Sequence, residues 1–211
     1  MRRPADPPGV SSAAQKVVIA GGFGVGKTTF VGAVSEIPPL TTEAPLTQAS
    51  ALTDILTGVE AKETTTVGLD FGRITFDAGP AAPADPGVPE PMELFLFGTP
   101  GQSRFAPVWR WIVSGAIGAV VLVDTRRLAS SFAAVDHFER NRIPFVIAVN
   151  EFDGARHHDA AEIREALSLD LQVPVVSCDA RHGVSVARVL IVLVEHALSV
   201  PPALDTDDPR L

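Results

Sequence analysis

The stretch Gly21-Gly22-Phe23-Gly24-Val25-Gly26-Lys27-Thr28 ends a run of glycines with a lysine and a hydroxyl. Glycines let successive backbone N–H groups turn inward and form a nest for phosphate oxygens. Lys27 then supplies a point charge to the outer phosphates, and the Thr28 hydroxyl suits magnesium. A Gly-rich turn with a lone lysine would show the same letters. Context decides between the two. KVVIA (16–20) is a β-branched run that predicts a buried strand, and from Phe30 onward FVGAVSEI keeps helical spacing until Pro38 and Pro39. A helix beginning there adds its positive end to an anion site.

A second constellation reads a base. Asn150 and Asp153 frame Asn-Glu-Phe-Asp after the apolar run PFVIAV. The Asp153 carboxylate can accept both N–H groups on the guanine edge, whereas adenine offers neither and would leave it unpaired. Asn150 is expected to tie the loop together and meet the purine. Taken alone, Asn-x-x-Asp is also a common turn.

These residues need a scaffold that collects loops at one end. Strands are predicted at 16–20, 65–76, 92–97, 116–124, 144–150 and 174–180, with helices over 130–141, 159–169 and 183–198. Continuous Val/Ile-rich strands alternating with helices imply a mostly parallel sheet covered on both faces, with ligands beyond the carboxyl ends. The expected fold class is therefore α/β, a three-layer P-loop domain with a six-stranded, mostly parallel sheet. It spans 16–199, between a disordered tail (1–15) and a flexible one (200–211). MELFLF (92–97) should run antiparallel to the strand before it. Residues 38–63 read as a long connection, and a loop of that length is functional or disordered.

Bulk properties exclude several classes. The chain has 211 residues, a net charge of −8 and one cysteine, Cys178. An acidic balance with pI near 5.0 disfavours nucleic acid and anionic lipid as partners. A single cysteine makes no internal disulfide, which fits a reducing, cytoplasmic setting. No apolar run approaches the roughly 18 residues of a membrane span.

In this order the guanine-site elements resemble small Ras-like GTPases over residues 16–198. AGGFGVGKTTFVGAVSEI, TTTVGLDFGRI, LFGTPGQSRF and AVVLVDTRRL are more narrowly similar to the actinobacterial conservon-type GTPases, themselves similar to bacterial MglA-type polarity GTPases. The resemblance implies a guanine-nucleotide switch that binds GTP or GDP with Mg2+. It also implies a roadblock-fold regulatory protein and a sensor-kinase-like protein as partners. Switch I would lie within 38–66 and switch II over 98–110. Gly21, Gly22, Phe23, Gly24, Val25, Gly26, Lys27, Thr28 and Thr29 would line the nucleotide. Thr66 matches the switch I threonine that completes the metal shell, although Thr64 and Thr65 stand beside it. Gly101 matches the γ-phosphate sensor, and Gln102 the residue that orients attacking water. Asp179 and Ala180 align with the last base-contacting loop, where the Ala180 N–H would meet the guanine carbonyl.

Four positions depart from that pattern. Gly98 stands where a magnesium-proximal aspartate is expected, so solvent, another carboxylate or nothing fills that place. Phe23 replaces a small P-loop residue; it either crowds an incoming arginine or packs on the nucleotide or a switch. Threonine stands immediately before Thr66, where MglA-type relatives supply an arginine, and unless Lys62, Arg73 or Arg104 reaches the phosphates, hydrolysis should be slow, since an arginine finger is worth about 10³–10⁵ in rate. Glu151 replaces the lysine between Asn150 and Asp153. Trp109 and Trp111 are expected on different sides, one in the core and one open to a partner. His157 and His158 read as a solvated loop. Two rival readings stand beside the GTPase: a guanine-binding module without useful hydrolysis, and an ATP-using P-loop enzyme.

Overall fold

The computed structural model describes residues 14–44, 67–76, 91–100 and 111–200. The expectations for Lys62, Thr66, Gly101, Gln102, Arg104 and Trp109, for the tails before residue 14 and after residue 200, and for most of both switches lie outside the described residues.

Four strands carry the centre: β1 (Gln15–Gly21), β4 (Met92–Gly98), β5 (Ala116–Val123) and β6 (Phe145–Asn150). β7 (Val175–Cys178) closes one edge; β2 (Leu40–Ala44) and β3 (Val67–Phe76) close the other. The order is β2-β3-β4-β1-β5-β6-β7. Pairing is parallel from β4 through β7, whereas β2–β3 and β3–β4 are antiparallel. The sheet is mostly parallel, as expected, and holds a seventh strand, β2, inside the segment read as a connection.

Side chains alternate strictly across this sheet. Val17, Ile19, Val120, Leu122, Val146 and Ala148 face one core layer, whereas Val18, Ala20, Val121, Val123 and Ile147 face the other. Both faces are buried, which is why the strands read as unbroken apolar runs. On the first face lie α1 (Lys27–Val34) and α4 (Gly183–Ser199), contributing Phe30, Val31, Val186, Val189, Leu190 and Leu193. On the second lie α2 (Phe132–Arg140) and α3 (Ala160–Ala166), through Ala134, Val135, Phe138 and Ile163. Asp159 starts α3 with a capping box shared with Glu162. β1 has β4 on one side and β5 on the other, so chain order reverses beside its carboxyl end. Open α/β sheets bind ligands in such a crevice.

Candidate functional site

β1 ends at Gly21 and the chain turns through Gly24 and Gly26, both at positive φ, into α1. Gly26 has a steric reason as well: a Cβ there would lie 2.8 Å from Asn150 Nδ2. Lys27 is buried and folds back on the loop, donating to the carbonyls of Gly21 at 3.0 Å and Gly22 at 2.8 Å. Burial pushes its pKa down to about 8, against the opposing pull of Asp70. Phe23 stands largely exposed on the loop's outer side.

The vacancy at Gly98 is filled from the neighbouring strand. Asp70 on β3 sits directly opposite Gly98 on β4. A Cβ on Gly98 would stand 3.0 Å from Asp70 Cβ and 3.1 Å from its Oδ2. The Asp70 carboxylate is buried and accepts the Thr28 hydroxyl at 2.6 Å. A hydroxyl and a carboxylate in contact are hard oxygen donors, and magnesium prefers that set. Of the three options for this place, the structure shows another carboxylate. Sequence reading missed Asp70 because its partner is 42 residues away in the chain and the contact depends on strand register.

Asn150 ends β6 and is buried. Its Nδ2 donates to the Val25 carbonyl at 2.9 Å, and its Oδ1 accepts the Ala180 N–H at 3.0 Å. It therefore ties the P-loop to the loop after β7, as expected. The Ala180 N–H, expected to meet a guanine carbonyl, donates to Asn150 here. Asp153 is 90% exposed and faces Arg181, whose Nη1 lies 3.3 Å from both of its oxygens. Arg181 also forms a fork on Asp179 at 2.9 Å, and with His182 it holds that carboxyl far below its usual range. Arg181 thus bridges the two carboxylates of the base end.

Glu151 turns away from the P-loop and accepts the Ser177 hydroxyl. Basic groups enter from the next strand. Asp124, fully buried at the end of β5, holds Arg126 and Arg127 by paired hydrogen bonds, and the Arg126 bonds above all lower its pKa to about 2. A kink at Arg127 brings its Nη2 within 3.5 Å of where a Gly24 Cβ would stand. The Arg126 guanidinium lies 4.0 Å above the Phe152 ring. Neither arginine was singled out from sequence, because an Arg pair after a strand reads as a solvated surface.

Other expectations resolve simply. Arg73 pairs with Glu36 and Glu93 rather than reaching the P-loop. Cys178 is buried, and burial pushes its thiol up to about 11. Trp111 is exposed, as one member of the pair was expected to be. His157 and His158 border a cleft of about 470 Å³ behind the base loop. No cluster of metal-ligating side chains of the His/Cys/Asp/Glu kind occurs among the described residues.

A family model described as conserved hypothetical ATP binding protein matches residues 19–200. The chain belongs to that family. Its match spans the P-loop, both strands that carry Asp70 and Gly98, and the base loop. Among solved structures, this ATP binding protein family member is similar to the G domain of the T. maritima FeoB iron transporter. That match has a TM-score of 0.56 and 19% identity, covering 87% of this chain and 99% of that one. The FeoB G-domain from Methanococcus jannaschii gives 0.55 and 13%, covering 88% and 98%. At such identities the likeness speaks to fold, and the fold is that of a G domain. No curated protein matches the sequence. A nucleotide-binding P-loop domain follows from the family and the fold together. Among the described residues no helix is long and apolar enough to cross a membrane.

Proposed function

We propose that this protein is a guanine-nucleotide switch that hydrolyses GTP slowly and signals through partners in a bacterial sensory system. The observation that carries the reading is the Asp70 carboxylate on the Thr28 hydroxyl, opposite Gly98. A relic that had lost its metal would have no reason to keep a buried carboxylate at that register. Lys27 would leave the P-loop carbonyls for the outer phosphates, while the backbone nest, Gly21 to Thr29, holds the phosphate chain. Thr28 and Thr66 would hold magnesium, with Asp70 as hydrogen-bond partner. Bound magnesium would offset charge on the phosphate oxygens during transfer. Gln102 would orient the attacking water and Gly101 would sense the γ-phosphate. Asp153 would read the guanine edge once Arg181 releases it. Asp179 and Ala180 complete that end of the site.

Slow hydrolysis is supported by Arg73, which is engaged away from the P-loop. The kinship to conservon-type and MglA-type GTPases belongs to this reading, as do a roadblock-fold regulator, a sensor-kinase-like partner, a cytoplasmic location and the domain limits 16–199. ATP is the competing ligand, favoured by the description of the family. Denaturing freshly purified protein and identifying the released nucleotide tests the base. Near-stoichiometric GDP, with or without GTP, is expected. Adenine nucleotide alone would overturn the guanine reading. Single-turnover hydrolysis by the parent and Gln102→Ala tests the chemistry, and equal rates would leave a binding module.

A further inference from the structure

The outer face of α4 carries a pattern that neither nucleotide binding nor core packing uses. Its inner face buries Val186, Val189, Leu190 and Leu193 against the sheet. Besides Ser199 in the last turn, its exposed positions are 184, 188, 191, 195 and 198, a spacing of four, three, four and three that keeps one stripe along the helix. They read Val184, Arg188, Ile191, Glu195 and Leu198. Val184 is 88% exposed, Ile191 45% and Leu198 79%. Neither Arg188 nor Glu195 forms an ion pair among the described residues, and no opposite charge lies three or four positions from either along the helix.

We infer that this stripe is the contact surface of a homodimer in which two α4 helices pack antiparallel about a two-fold axis at Ile191. The stripe is self-complementary in only one orientation. With the axis at Ile191, Val184 meets Leu198 of the second copy at both ends, and Ile191 meets itself. Arg188 then comes within one residue of Glu195 of the second copy, twice by symmetry. A two-fold interface presents the same patch on both copies, so both ion pairs form together. Parallel packing would set Arg188 against Arg188 and Glu195 against Glu195, and like charges opposite each other reject that mode. Anionic lipid is a poor occupant for a stripe that carries a glutamate for its one arginine, on a chain of net charge −8. The helix is 17 residues long, or about 25 Å. Two such helices in contact fall at the low end of interface size, so the dimer is a weak one that exchanges readily.

The test is sedimentation of the full chain, with reductant, from about 1 to 300 µM, an interval chosen to bracket that weak affinity. The parent is expected to move from monomer to dimer. Ile191→Glu sets two carboxylates against each other and should hold the protein monomeric throughout. Arg188→Glu and Glu195→Arg should each weaken association by about tenfold or more through like-charge pairs. The double reversal, Arg188→Glu with Glu195→Arg, should restore it. All three positions are exposed, so the melting temperature of each variant should match the parent. A parent that stays monomeric overturns the proposal, as does a dimer indifferent to Ile191→Glu or a double reversal that fails to recover association. None of these readouts needs bound nucleotide, so the proposal stands or falls apart from the guanine reading.

Discussion

The phosphate end and the base end of this site are built differently. At the phosphate end Lys27, Asp70 and Thr99 are buried, Gly98 is closed over by Asp70, and Lys27 is already satisfied by two loop carbonyls. At the base end the tie residue Asn150 is buried, but Asp153 and Arg181 stand in water as an ion pair. A surface ion pair contributes little, so exchanging it for a ligand costs little. On the proposed function, a preorganised, desolvated phosphate end would supply affinity, whereas a soft base end would supply choice. Four sets of substitutions test that division.

The largest effect belongs to Lys27. Lys27→Ala removes a charged donor at the buried end and should weaken GDP binding about 100-fold, checked by titration with a fluorescent guanine nucleotide. The parent should also show a pH signature. In the free protein Lys27 titrates near 8, and bound phosphate raises that value by favouring the ammonium. Binding above pH 8 therefore takes up a proton, and affinity should fall by up to about tenfold per pH unit there. Below pH 8 this group contributes no slope, and Lys27→Ala should remove the slope altogether.

At the base end, Asp153→Asn should exchange preference rather than destroy the site. An amide in that place accepts one N–H and donates to a carbonyl, which suits the xanthine edge. Guanine affinity should drop about 10- to 100-fold while xanthine nucleotide gains. Unchanged guanine preference would mean that Asp153 reads nothing.

The next pair probes the displaced carboxylate. Asp70→Gly should raise the magnesium needed for half-maximal nucleotide retention about tenfold. Gly98→Asp alone should destabilise the fold, because its Cβ would stand 3.0 Å from Asp70 Cβ, closer than ordinary van der Waals contact, and its carboxylate adds like charge. Combining the two should recover stability and magnesium response, and independent, additive effects would argue against a shared place.

The smallest effect is at Arg127, whose guanidinium borders Gly24 while Glu151 looks elsewhere. Arg127→Ala should speed nucleotide release about fivefold, and Arg127→Lys should return part of it. Equal release rates would make the Asp124 cluster a purely structural staple.

Much of the phosphate end was legible because its signal is local. Glycine spacing, Lys27 and Thr28 lie within eight residues, and the flanking strand and helix announce themselves by periodicity. The parallel sheet was legible for the same reason: strands buried on both faces read as apolar runs. Asp70 was not, since in GLDFG it looks like one polar residue in an alternating strand, and only pairing with β4 sets it beside Gly98. β2 was hidden by the prolines before it and by its edge position, where pairing with β3 rather than its own pattern defines it. The hold of Arg181 on Asp153 was not legible either, because it depends on how two separate loops meet.

The opposition of Asp70 and Gly98 has a consequence for how sequences of this kind can diverge. A mutation that supplies an aspartate at 98 before 70 changes meets a filled space, and one that removes Asp70 first leaves the Thr28 hydroxyl without its carboxylate partner. Each single step is worse than either end, so the two arrangements are separated by a fitness valley. Homologues should therefore sort into two lineages, with a carboxylate at one position and a small residue at the other, and few intermediates between them.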